Sequence, residues 1–127
     1  MLIGQILNSQ ATLNNYILLG SLNFVPGEGV TLVVKIINSQ LGIRYVVDNQ
    51  AATVKFIFNK SNNATEEIAG TFLTDDRSIV SVELSSAITE EVLGGNFTME
   101  IDVQGNGNEI KKVFVESGLT RNLIGEC

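Results

Sequence analysis

Carboxylates are the side chains in this sequence best placed to do chemistry. Asp75–Asp76 and Glu90–Glu91 stand as adjacent pairs, and a pair of acids is enough to break a glycosidic bond when one protonates the leaving oxygen and the other attacks or activates water. The contexts argue against that use. Asp75 and Asp76 lie in TDD, a turn signal, and Glu90 and Glu91 lie in the short amphipathic stretch SSAITEEVLGG. Acids in such places form turns or carry solvated charge. The 127 residues contain no histidine, which removes imidazole bases, Ser-His and Cys-His nucleophile pairs and most zinc sites. The one cysteine, Cys127, is the last residue and is expected to be an inert tail with no role. No catalytic, cofactor-binding or metal-binding residue is therefore assigned, and the chain is expected not to be an enzyme.

DVQGNGNE, residues 102–109, is the stretch closest to a metal loop. Asp102, Gln104, Asn106, Gly107 and Asn108 fall in suggestive places of a calcium-binding loop, but Val113 stands where a bidentate Glu is required. The simpler reading is a hairpin loop whose Gly and Asn residues meet its backbone angles. A phosphate-cradling glycine loop also fails, because a strand pattern and not a helix follows it.

The elements that must carry these residues read as strands. The sequence is 44% hydrophobic and 17% charged with no Trp, so a core of Val, Ile and Leu is expected, and these favour the pleated surface of a sheet. Strands are predicted over residues 2–7, 12–19, 30–37, 43–47, 53–59, 66–73, 78–84, 97–103 and 110–116, with turn signals between them. Alternation assigns faces. Val54, Phe56 and Phe58 share one side of TVKFIF, with Thr53, Lys55 and Ile57 on the other; Val80, Val82 and Leu84 share a side, as do Phe97, Met99, Ile101 and Val103. One apolar and one wet face predicts antiparallel sheets packed on each other. VTLVVKII is apolar on both faces, so it is a central strand or one covered by a partner. SSAITEEVLGG supports a short helix, capped by Ser86 at its start and by Gly94 at its end.

The first twenty residues stand apart. Two apolar patches, Leu2, Ile3, Ile6 and Leu7 and then Tyr16, Ile17, Leu18 and Leu19, flank the polar LNSQATLNN. A sandwich of about seven strands can be built without them. Residues 1–20 are therefore read as an N-terminal arm or extra strand, with those eight side chains as candidate contacts to a neighbouring chain, and residues 21–127 as the β-sandwich domain.

The net charge of −6 repels phosphate backbones and anionic lipid, so neither nucleic acid nor membrane is an expected partner. MLIGQILNSQ lacks the basic start and continuous apolar run of a signal peptide, and synthesis in a reducing cytoplasm is expected.

Over residues 22–116 the order GEGVTLVVKII, IRYVV, ATVKFIF, an Asn/Ser turn, DDRSIVSVELS, AITEEVLGG and NFTMEIDV resembles a family of small β-sandwich domains in tailed-bacteriophage virions. It is similar to the immunoglobulin-like domain that opens siphophage upper baseplate proteins, and to head-decoration and fibre-adaptor domains, with Gly95, Asn96, Phe97 and Glu100 as the shared strand motif. The resemblance implies an antiparallel immunoglobulin-like sandwich and a non-enzymatic structural protein of the virion. Its partners would be other virion proteins, as a homo-oligomer or part of a larger assembly. The alternative is a carbohydrate- or ligand-binding sandwich module, for which Tyr16 and Tyr45 are the only tyrosines available. If the faces are assigned correctly, Phe97→Ala should lower the free energy of unfolding by about 3–5 kcal/mol in a denaturant titration; a loss below about 1 kcal/mol would place Phe97 outside the core.

Overall fold

A computed structural model describes residues 1–116 and 118–122 of the chain, so Cys127 lies outside the described residues. The strands are β1 (Leu2–Leu7), β2 (Ser21–Phe24), β3 (Val30–Asn38), β4 (Ile43–Arg44), β5 (Thr53–Asn59), β6 (Thr65–Ala69), β7 (Thr71–Phe72), β8 (Ile79–Leu84), β9 (Thr98–Asp102), β10 (Ile110–Val115) and β11 (Gly118–Arg121). A 3-10 turn at Ser61–Asn63 joins β5 to β6, and a short helix, α1 (Ser86–Glu91), joins β8 to β9. The fold is all-β with mixed sheets.

The main sheet runs β6-β5-β9-β10-β1-β3-β8-β7, with β4 paired to the end of β3. Its two ends meet. β6 pairs with β5 up to Ala69, and β7 pairs with β8 from Thr71. Between them the Gly70 amide still donates to the Val54 carbonyl of β5 at 2.9 Å. A single residue therefore carries the chain from β6, paired at one end of the sheet, to β7, paired at the other, and brings the two ends together at this corner. A side chain at Gly70 has no room: its Cβ would lie 2.6 Å from a Phe56 ring carbon and 3.1 Å from the Ser81 carbonyl oxygen.

The inner face carries the core. Val54, Phe56, Phe58, Val80, Val82, Leu84, Phe97, Met99 and Ile101 are all buried, as the alternation predicts. Phe58 and Phe97 touch at 5.3 Å between ring centres and Phe56 stacks 6.1 Å from Phe58, the offset arrangements that aromatic rings prefer. Val103 is only partly buried, at the margin of this core.

Of the two readings of the N-terminal segment, the structure shows the extra strand. β1 is not an arm on another chain but sits mid-sheet, antiparallel to β3 over Leu2–Leu7 and parallel to β10 through Leu2↔Val113 and Ile3↔Phe114. Leu2, Ile6 and Leu7 are buried within the chain's own fold, so they are not available to a neighbour. The reason is hydrogen bonding: without β1, β3 and β10 would both be open edges.

Residues 12–19 are not a strand. Scattered contacts satisfy their backbone instead, with Ile17 N donating to Asn8 Oδ1 at 2.9 Å and Thr12 N donating to the Asn15 carbonyl at 2.9 Å. This segment lies over the outer side of β3, where Ala11, Leu13 and Tyr16 cover Leu7, Val33 and Ile79. Lys35 donates to the Tyr16 hydroxyl at 2.6 Å and sits 4.5 Å above its ring. VTLVVKII is thus a central strand whose inner face packs in the core and whose outer face its own chain covers at Val33.

Other boundaries shift for local reasons. The 43–47 strand ends at Arg44, and Gly70 breaks the 66–73 strand in two. Ser85 rather than Ser86 caps α1, accepting from Ile88 N, and the cap at its end is Val92 in an extended conformation rather than Gly94. The sheets are not purely antiparallel either, since β1·β10 and β2·β11 are parallel. Deleting residues 1–20 should therefore abolish cooperative thermal unfolding in the monomer. A truncated monomer that melts within a few degrees of the full chain would show that β1 is dispensable.

Candidate functional site

The two acid pairs lie on different elements: Asp75 and Asp76 border an open depression with Leu13 and Arg44, and Glu90 and Glu91 sit on α1. Asp76 is a turn staple: Oδ1 accepts from Thr74 Oγ1 at 2.6 Å, Ser78 Oγ at 2.7 Å and Ser78 N at 3.0 Å, and Oδ2 accepts from Arg44 Nε at 3.1 Å. Arg77, held at a left-handed φ of 56°, donates to the Val47 carbonyl from the same turn. Burial pushes the Asp76 carboxyl up, but the hydroxyls of Thr74 and Ser78, the Ser78 amide and the Arg44 guanidinium outweigh it and hold the group below the usual aspartate value. Glu90 and Glu91 sit on α1, where Glu91 pairs with Lys60 at 3.2 Å and the Glu90 carbonyl accepts from Arg121.

Residues 102–109 form the hairpin loop between β9 and β10. Asp102 turns its carboxylate onto the loop's own backbone, with Oδ1 accepting from Gly105 N at 2.9 Å and Oδ2 from Gly107 N at 2.7 Å. Both glycines have positive φ, 73° and 80°, which a side chain would strain.

The candidate contact residues of the first segment divide. Leu2, Ile6 and Leu7 are core, and Leu19 is partly buried against that core. Tyr16 is occupied by Lys35. Ile17 and Leu18 stay open, at 63% and 56% exposure. Ile3 is half-buried on the outer face of β1.

Ile3 belongs to a feature that no single strand reveals. Residues directly opposite in a ladder share a face and lie about 4.5–5.5 Å apart. The pairs Ile57↔Thr98, Thr98↔Phe114, Phe114↔Ile3 and Ile3↔Ile37 therefore form one row across β5, β9, β10, β1 and β3. Glu67 continues it on β6 and Arg44 on β4. Phe114 is 52% exposed at its centre, with Ile57, Ile3 and Ile37 half-buried around it. The neighbouring row is charged. Lys55 stands opposite Glu100 and reaches both it, at 3.5 Å, and Glu67, at 2.7 Å; the Glu67 hydrogen bond is the first reason its ammonium is held above the usual lysine value.

Ile57, Ile37 and Phe114 were open to sequence reasoning in part. Ile57 shares a predicted face with Thr53 and Lys55, and Phe114 stands one place out of phase with Val113. Each looks like an isolated exposed residue until the register aligns them.

Beyond the charged row, Thr53, Lys55, Ala69, Glu100, Asp102 and Ile110 line a shallow depression of about 240 Å³. No aromatic ring lines it, whereas sugar-binding faces depend on aromatic stacking platforms. No protein-family model matches the chain, and the search of curated proteins found no relative.

The Asp76 staple makes a stability prediction with a defined sign. Its folded pKa lies below the unfolded value of about 3.9, so its contribution is complete above that pH and is lost as pH falls through the folded value. Asp76→Ala should lose about 1–3 kcal/mol at neutral pH, and urea titrations should show the gap to wild type narrowing below about pH 4. A gap that is unchanged down to acid pH would mean the charge plays no part.

Proposed function

We propose that this chain is a non-enzymatic structural protein of a bacteriophage virion, acting through protein–protein contacts in a homo-oligomer or a larger assembly. The observation that carries the contact reading is the apolar row centred on Phe114, with Ile57, Ile3 and Ile37 beside it. Large apolar side chains aligned across the solvent side of a sheet are what a contact surface presents. The charged row of Lys55 and Glu100 alongside it, with Glu67 reached by Lys55 from the end of the apolar row, supplies a polar rim. Exposed Ile17 and Leu18 offer a second contact region on the first segment.

The virion assignment, as head decoration or as a tail and fibre adaptor, rests on the resemblance of residues 22–116 to phage sandwich domains. Antiparallel pairing in β3·β8, β5·β9 and β9·β10 supports an immunoglobulin-like relation. The parallel insertion of β1 would then be this chain's own elaboration. A scaffold of this kind needs rigid faces rather than reactive groups, and Asp76 and Asp102 serve its turns accordingly.

Phe114→Asp tests the contact reading, because Phe114 is half exposed and its loss should leave the monomer's melting temperature nearly unchanged. Sedimentation of the wild-type chain at increasing concentration is expected to show association that the variant lacks. A wild-type chain that stays monomeric throughout, and that is missing from purified phage particles made by cells carrying its gene, would overturn the proposal.

A further inference from the structure

The β9–β10 loop places three groups around the bond between Asn106 and Gly107. Gly107 N donates to Asp102 Oδ2 at 2.7 Å. Asn106 Oδ1 accepts from Asn108 N at 3.0 Å, and Asn106 Nδ2 donates to Gln104 Oε1 at 3.4 Å. Asn106–Gly107 is the one Asn-Gly pair in the sequence. Gly107 has no Cβ, and one placed there would meet nothing within 4 Å, so no side chain crowds this bond from the glycine side.

We propose that this loop is a self-modifying site, in which Asp102 acts as the base that converts Asn106 to aspartate and isoaspartate. The Gly107 amide gives its proton to Asp102 Oδ2, and the nitrogen's electron pair forms a bond to Asn106 Cγ, closing a five-membered ring. The carbonyl pair moves onto Oδ1, where the Asn108 N–H stabilises the developing charge as an oxyanion donor does. Collapse of this intermediate breaks the Cγ–Nδ2 bond. Nδ2 takes the proton held by Asp102 and departs as ammonia, leaving a cyclic imide. Water then opens the imide at either carbonyl. In sum, one asparagine and one water give one aspartate or isoaspartate and one ammonia, and Asp102 is regenerated.

The arrangement is specific to this position. Among the described residues, no other asparagine is followed by an amide that donates to a carboxylate; the amide after Asn38, that of Ser39, donates to the Met1 carbonyl, which is no base. Conversion makes the net charge of −6 one unit more negative and sets the new carboxylate in the loop that Asp102 already occupies. The isoaspartate form also lengthens the backbone, so the loop that closes β9 onto β10 is altered with the age of the protein.

Folding ordinarily slows this chemistry by restraining the backbone, so the decisive comparison is the folded full-length chain against the same chain unfolded in urea, at the same neutral pH and temperature. Mass spectrometry of the fragment containing Asn106 reads the change of amide to acid. The folded chain is expected to convert about a hundredfold faster or more, the low end of what a placed base contributes. Asp102→Asn, which keeps an acceptor for the glycine amides but no base, should bring the folded rate to the unfolded rate or below, with Asn38 and Asn8 as unaccelerated controls in the same digests. A wild-type folded rate equal to or below the unfolded rate would overturn the proposal even if Asp102→Asn destabilised the loop, and so would an Asp102→Asn chain that converts as fast as wild type.

Discussion

The seat of β1 between β3 and β10 is the interaction on which the rest of the molecule depends. One edge of β1 bonds β3 along its length, and the other bonds β10 over Leu2, Ile3 and Gly4. The β10-β9-β5-β6 half is thereby continuous with the β3-β8-β7 half. The corner at Gly70 then brings the two ends of the sheet together. The inner face becomes one enclosed core rather than two half-covered sheets, and the Phe56, Phe58 and Phe97 rings can fill it. The outer row through Phe114 and Ile3 exists for the same reason, because it crosses the β10·β1 joint.

Polar groups in this chain mostly serve geometry. Among the described residues no buried side-chain nitrogen or oxygen lacks a hydrogen-bond partner, which is what a well-specified interior requires. Thr89 is buried but satisfied, accepting from Gly27 N and donating to the Ser86 carbonyl. Asp76 and Asp102 accept from the residues that turn around them. Acids engaged in this way fix the positions of turns and are poorly placed to meet a substrate.

Asparagine shows how the same residue type serves different ends. Asn8 ties the first loop by accepting from Ile17, and Asn38 and Asn49 accept from amides two residues on to close tight turns. Asn106 makes that same local contact to Asn108, but there a carboxylate also touches the intervening amide. The difference is one neighbour, and it comes from Asp102 at the end of β9.

The sequence by itself determined the inner face. Alternation in residues 53–59, 78–84 and 97–103 depends only on the two-residue period of a strand, so Val54, Phe56, Val82 and Met99 could be assigned without knowing their partners. The hairpin at residues 102–109 was legible for the same local reason, through its turn residues, and the short helix before β9 was legible as an element, though its caps are Ser85 and Val92 and not Ser86 and Gly94. Only the tertiary structure decided where β1 goes, since an apolar strand seeking an edge reads alike whether that edge belongs to its own chain or to another. It also decided that residues 12–19 fold back as a loop, that Ser21–Phe24 and Gly118–Arg121 pair in parallel, and that Gly70 is the corner between the two ends of the sheet. The row of Ile57, Phe114, Ile3 and Ile37 was beyond sequence reasoning as a row, because register between strands distant in the chain is set by the whole sheet and by no strand alone.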